Sequence, residues 1–288
     1  MKDVRLSTTG LMAALLTVAF YLGLVGGPLG DSFISQLFSE RGWVPYVITY
    51  LAVWCGVLLV AKYRRLSQRQ RILQLDLLPE SIAPRITVEA CGPLLAYLQA
   101  LPGIDPGDLL SRRISMALEY FRARGSVIET IDRLRLQSDR DEGTVDSSYT
   151  MLRAFIWAIP ILGFIGTVLG IGQSVGGFSE SVSAAADLEV MKDSIGVVTS
   201  GLGIAFDTTL LALVVSIFIM LPTSSLQKAE EDYLALVDDY CQRHLVVRLE
   251  QKSSMQLGPE GEEWLKKLGE RLVGELRMSA GPGESGGD

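Results

Sequence analysis

Four stretches of this chain are long, apolar and nearly free of charge, and they restrict its fold more than any other feature. They cover residues 11–29, 44–61, 154–178 and 195–222. A helix needs about 20 apolar residues to cross the hydrocarbon core of a bilayer. The first two stretches are close to that length. The last two exceed it, so they are expected to tilt or to project beyond the bilayer. The expected fold class is therefore an all-α membrane protein with four transmembrane helices. Lys2 and Arg5 give the first stretch the look of a signal peptide, but Gly26-Gly27-Pro28 is a poor cleavage site, so it is read as an uncleaved span.

The rest of the composition narrows the function classes. Of 288 residues, 48% are hydrophobic and 20% charged, with a net charge of −7. An acidic chain lacks the basic surface that nucleic acid requires, so no nucleic-acid partner is expected. Cys55, Cys91 and Cys241 are far apart and form no Cys-x-x-Cys, which reads as three free thiols. The single histidine, His244, makes Cys241-x-x-His244 a pair where a structural zinc site needs four ligands. Gly170-x-Gly172-x-x-x-Gly176 lies inside a span with no strand before it, so it is not a dinucleotide loop. No metal, no cofactor and no enzymatic chemistry are expected.

Orientation follows from the distribution of Lys and Arg at the span ends. Lys2 and Arg5 precede the first span. Lys62, Arg64, Arg65, Arg69 and Arg71 follow the second, Arg153 precedes the third and Lys228 follows the fourth. The two short connectors hold only Arg41 and Lys192, the latter among Glu180, Asp187, Glu189 and Asp193. Both termini and the central segment are thus expected in the cytoplasm. The chain divides into residues 1–61 with two spans, a helical cytoplasmic insert over 62–151, two spans and a cytoplasmic helix over 152–250, and a tail over 251–288. In the insert, residues 111–136 read as amphipathic helix broken at Gly125, with Ile114, Leu118 and Phe121 on one face and Ile128, Ile131 and Leu134 on another. Beyond the fourth span, Leu226, Ala229, Tyr233, Leu236, Tyr240 and Val247 predict one apolar stripe, opposite Glu230, Glu231, Asp232, Asp238 and Asp239. Residues 264–276 read as a further amphipathic helix, and 279–288 as a Gly-rich disordered end.

Two rows of small residues mark the last two spans. Gly163, Thr167, Gly170, Ser174 and Gly177 recur at steps of 4, 3, 4 and 3, and Ala205, Thr209, Ala212 and Ser216 at 4, 3 and 4. Such stripes let membrane helices approach closely, or they line a narrow passage. Gly163, Gly170, Gly177, Ala205 and Ala212 are read as packing positions. Thr167 and Thr209 are read as facing a pore, with Ser174 and Ser216 on the same rows. Hydroxyls exposed to lipid are costly, so the stripes are expected to face a shared axis in a ring.

Asp207 is the only ionisable residue deep in a span. An intramembrane carboxyl marks a functional site by default, although a structural acid bonded to hydroxyl or backbone fits equally well. No span supplies a Lys or Arg to it, so desolvation is expected to keep it largely neutral. At 3.6 residues per turn, Asp207 and Thr209 are about 200° apart and face different surroundings.

Residues 154–248 resemble the ion-channel domain of the MotA/TolQ/ExbB proteins. The resemblance is carried by PILGFIGTVLGI at 160–171 and GLGIAFDTTLLALVVSIFIMLP at 201–222. The first matches the family's G-x-x-GTV-x-G pattern, whose threonine faces the channel, here Thr167. The second matches a helix with a threonine, small residues and a closing proline, here Thr209 or, shifted by one, Thr208. The resemblance implies a pentamer around two copies of a single-span ExbD/TolR/MotB-like partner in a bacterial inner membrane. That partner carries a membrane aspartate, and ion passage beside it, most simply of protons, drives rotation. The two early spans are closer to the four-span flagellar arrangement than to the three-span one of TolQ and ExbB. A membrane scaffold, or a passive channel without a motor partner, is the alternative.

Overall fold

The computed structural model describes residues 6–26, 32–39, 41–73, 75–101, 107–183, 188–250, 263 and 266–273. Lys2, Arg5, Gly27-Pro28, Asp187 and the 279–288 end lie outside the described residues. The chain splits into two units, Met1–Leu249 and Glu250–Asp288. The second is described only as a helical stretch at 266–273, with Lys267 bonded to Glu263 at 3.0 Å.

The first unit runs α1 (Leu6–Gly26), α2 (Phe33–Ser39), α3 (Val44–Ile72), α4 (Cys91–Ala100), α5 (Leu109–Arg124), α6 (Val127–Ser148), α7 (Thr150–Ser183) and α8 (Leu188–Tyr240). A π-helical turn, Cys241–Leu245, and a 3₁₀ turn, Val246–Arg248, end it. Among the described residues four helical segments are long and apolar enough to cross a membrane: α1, α3, the run from α6 into α7, and α8.

Local chemistry sets the ends of the insert helices. Asp108 caps α5 by accepting from the Leu110 amide, and Gly125 closes it at φ 67°, a left-handed conformation that glycine adopts without strain. Ser126 then accepts from the Glu129 amide at 3.3 Å to start α6.

Three helix pairings build the membrane part. α1 packs antiparallel on α3, with Trp54 Nε1 donating to Thr9 Oγ1 at 3.2 Å and Tyr21 hydroxyl against Thr49 at 3.1 Å. α7 and α8 form a long antiparallel pair. α3 runs parallel to α8 and meets both over an apolar cluster of Ile48, Cys55, Leu152, Ile159, Ala212 and Ile219.

The insert is not a free-standing body. Its apolar residues, among them Leu94, Leu110, Ile114, Leu118 and Phe121, close around the lower half of α8 in one buried core. That changes the expected stripe on α8. Leu236 and Val247 are 53% and 79% exposed, whereas Leu226, Tyr233, Leu234, Val237, Cys241 and Leu245 are buried. Glu230, expected on the wet face, is buried and pairs with Lys62 at 2.9 Å. Two causes act: covering elements arrive from two sides, and the π turn after Tyr240 adds a residue that shifts Val247 off the helical period. Ile128, too, is 71% exposed because α6 buries only one edge.

A charge cluster pins this core. Arg113, 1% exposed, bonds Asp141 Oδ2 at 2.9 Å on α6 and Asp238 on α8. Arg112 reaches the other Asp141 oxygen at 3.0 Å, and Ser138 donates to Asp238 at 2.6 Å. Arg248 donates to the carbonyls of Leu78 and Ala83, fastening the 78–86 loop to the end of α8.

All three cysteines are free and buried. Burial pushes the Cys91 thiol above its ordinary range, against a smaller opposing pull from Arg122. The thiolate is the reactive form. Iodoacetamide at pH 8 should therefore label native Cys91 about tenfold more slowly than the urea-unfolded chain, read by mass spectrometry. Because the folded thiol keeps its proton to higher pH, its stabilising contribution is full below the unfolded value and declines as pH rises past it. Equal labelling rates in the two states would remove the burial argument.

Candidate ion-pathway site between two membrane helices

The small rows of α7 and α8 face each other within one protomer. A Cβ added at Gly163 would stand 2.6 Å from Ala212 Cβ, one at Gly170 2.5 Å from the Gly201 carbonyl oxygen, and one at Gly177 2.5 Å from Val197 Cγ1. Gly166 is equally tight against Thr208, and Gly201 against Ser174. Ala205 and Ala212 are buried in the same contact. Within the chain, the surface that each row meets is the other helix of the pair.

Close approach lets short hydroxyls cross between the helices. Thr167 Oγ1 lies 3.2 Å from the Ala205 carbonyl on α8, and Thr209 Oγ1 lies 3.1 Å from the Gly163 carbonyl on α7. The two hydroxyls also touch each other. On one side of them Ser174 donates to the Val198 carbonyl at 2.9 Å. On the other, Ser216 donates to the Ile156 carbonyl at 3.2 Å. That carbonyl is free because Pro160, inside α7, has no N–H to give it. The four hydroxyls of the two rows thus form a ladder of cross-helix bonds. This removes the premise that a lone chain would leave them unsatisfied in lipid. Thr167 and Thr209 are half-buried, whereas Ser174, Ser216 and Thr208 are buried.

The structure also separates the two adjacent threonines. Thr209 opposes Thr167. Thr208, 1% exposed, returns its hydroxyl to the Ile204 carbonyl of its own helix at 2.9 Å and packs on Gly166.

Asp207 meets a cation that no span supplies: its carboxylate is 2.8 Å from the Arg41 guanidinium. The cation comes not from a span but from the connector, which α2 folds back against α1 and α8. The rings of Phe38 and Phe20 lie 5.5 Å apart, and Gly42 turns the chain at φ 84°. A sequence search confined to the spans could not find it.

Sequence reasoning missed Gly166, Gly201, Pro160 and Arg41 as contributors. Gly201 continues the α8 row one step back from Ala205, so the spacing did contain it. Gly166 stands beside the row, where spacing alone is mute.

Long antiparallel helices of membrane length, sealed by small residues and bridged by hydroxyls, define a polytopic helical membrane protein. Residues 109–238 match the model of the MotA/TolQ/ExbB proton channel family. The match begins at the start of α5, well before residue 154, so it takes in the Arg113, Asp141 and Asp238 cluster as well as the helix pair. Members of that family work in complexes with ExbD/TolR/MotB-like partners, and the family is typically non-enzymatic. Comparison with curated proteins and with solved structures gives no match.

Proposed function

We propose that this chain is the channel-forming subunit of an inner-membrane motor complex, in which ion flow, of protons first, is turned into mechanical work through a separate single-span partner. The observation that carries this reading is the contact of Thr167 with Thr209 at the heart of the family's helix pair. Thr167 and Thr209 are half-buried where Ser174 and Ser216 are buried, so they are the residues of the ladder placed to offer oxygen to a passing ion or to the partner's membrane aspartate. Ser174, Ser216 and Thr208 border the same route and hold its walls. The bulky outer faces of the pair, with Phe164, Val168, Val175, Phe206 and Leu210 exposed, fit lipid and neighbouring copies in a ring, a pentamer by family resemblance. Lys and Arg at the span ends support cytoplasmic termini and a cytoplasmic insert. The alternative, a scaffold, draws on the same ladder, because cross-helix hydroxyl bonds also stabilise packing alone.

Thr167→Val and Thr209→Val separate the two readings. Each keeps the shape and removes one hydroxyl. Membrane hydrogen bonds of this kind contribute about 0.6 kcal/mol on average, so the complex should still assemble. Proton uptake by liposomes carrying the chain and its co-purified partner should fall at least about tenfold, since a barrier higher by about 1.4 kcal/mol is enough. Normal uptake in both variants would overturn the pathway. Loss of assembly, read by native mass spectrometry, would favour the scaffold.

A further inference from the structure

One turn of α8 is gripped from two opposite sides. Thr209 faces α7, while Gly203 and Asp207, one turn apart, face the connector between α2 and α3. Asp207 holds Arg41 at 2.8 Å, and a Cβ on Gly203 would lie 3.7 Å from Arg41 Nη1, in ordinary contact. Asp207 and Thr209 are about 200° apart around the helix, so the ion pair and the threonine contact brace the same turn from nearly opposite directions.

The connector is shaped to present Arg41. Tyr21 donates to the Phe38 carbonyl at 3.4 Å and Tyr46 to the Ser39 carbonyl at 3.2 Å, which anchors the end of α2 just before Arg41. Gly42, at φ 84°, turns the chain directly after it in a conformation other residues adopt only with strain. Arg41 Nε is buried without a partner, so among the described residues the guanidinium is placed by the Asp207 carboxylate. Phe206 and Leu210 flank this turn, and an unpaired charge in such surroundings is costly, so the pair persists as a unit.

We propose that Arg41 is a positioning residue: through Asp207 it locks the rotation of α8, keeps Thr209 opposed to Thr167, and thereby ties the α1–α3 half of the protein to the ion path. The consequence for transport rests on the channel reading above, but the rotation itself does not.

Disulfide trapping in native membranes tests it. The full chain carrying Thr167→Cys and Thr209→Cys is oxidised with copper phenanthroline, the linked peptides are identified by mass spectrometry, and thermal melting reports folding. Arg41→Gln and Asp207→Leu should each slow the 167–209 link at least tenfold. Arg41→Lys should retain it, and Arg41→Asp combined with Asp207→Arg should restore it. Single variants that link at the parental rate overturn the proposal, as does a charge-swapped variant that melts normally but stays unlinked. If the single variants fail to fold, the swap decides: recovery of both folding and the link supports the lock, and recovery of neither overturns it. Trapping that behaves as expected while Thr167→Val and Thr209→Val transport normally would remove the ion path and leave the lock standing.

Discussion

Gly170→Ala should separate α7 from α8 and lower the melting temperature of the protein. The new Cβ would stand 2.5 Å from the Gly201 carbonyl oxygen and 2.7 Å from the Ala205 amide nitrogen. Both are backbone atoms of a packed helix and cannot turn aside as a side chain could. The helices must part locally, which strains the Ser174 bond to Val198 and the Thr167 bond to Ala205. Overpacking of this kind costs about 1–3 kcal/mol, and each lost cross-helix hydroxyl bond adds about 0.6 kcal/mol. Gly172→Ala and Gly176→Ala are the matched controls. Nothing lies within 4 Å of a Cβ at either position. Alanine is the better helix former by about 0.5–1 kcal/mol, so these variants should melt at or above the parent. Thermal melting in detergent reads all three. If Gly170→Ala melts with the controls, the close α7–α8 contact described above is wrong.

Arg113→Met should destabilise the insert and the lower half of α8 by about 3–5 kcal/mol, the cost of stranding buried charge when one partner of a buried pair is removed. Arg113 is 1% exposed, and Asp141, its partner at 2.9 Å, is 5% exposed. Arg112 and Gln137, each 3.0 Å from Asp141 Oδ1, compensate one oxygen only. Asp238 would keep Ser138 at 2.6 Å but lose its cation. The stem of methionine fills the apolar part of the space, so the loss reports charge more than volume. Adding Asp141→Leu to Arg113→Met should recover part of the stability, because a buried pair replaced on both sides leaves less charge stranded. Limited proteolysis of the insert, together with melting, measures both variants. A single variant as protease-resistant as the parent would show that this cluster does not hold the insert to α8.

The α5–α6 break was legible because Gly125 and Ser126 are a stop and a start with a local mechanism, which needs no partner elsewhere in the chain. The small rows were legible for the same kind of reason: a spacing of three and four places residues on one face whatever surrounds them. Which surface that face meets is a different matter. Within the chain the rows meet across α7 and α8, because the two helices are complementary at Gly163 and Ala212 and at Gly170 and Gly201. Periodicity encodes direction from a helix axis and not the identity of the neighbour. The lower half of α8 shows the same limit. Apolar residues occur on several of its faces, and only the arrival of α4, α5 and α6 decides that Leu234 and Val237 are buried and Leu236 is not.

Four membrane-length helices, an interrupted helical insert and a hydroxyl-bearing pair of spans were determined by the sequence alone, because hydropathy, capping and helical spacing act within one segment. The partner of Asp207, the choice between Thr208 and Thr209, the donor that repairs the carbonyl freed by Pro160, and the union of the insert with α8 were decided only by tertiary structure. Each joins residues tens to more than a hundred positions apart: Arg41 with Asp207, Thr167 with Thr209, Ile156 with Ser216, Arg113 with Asp238. Such pairings depend on how whole helices pack and in what register, and no local pattern in the chain records that register.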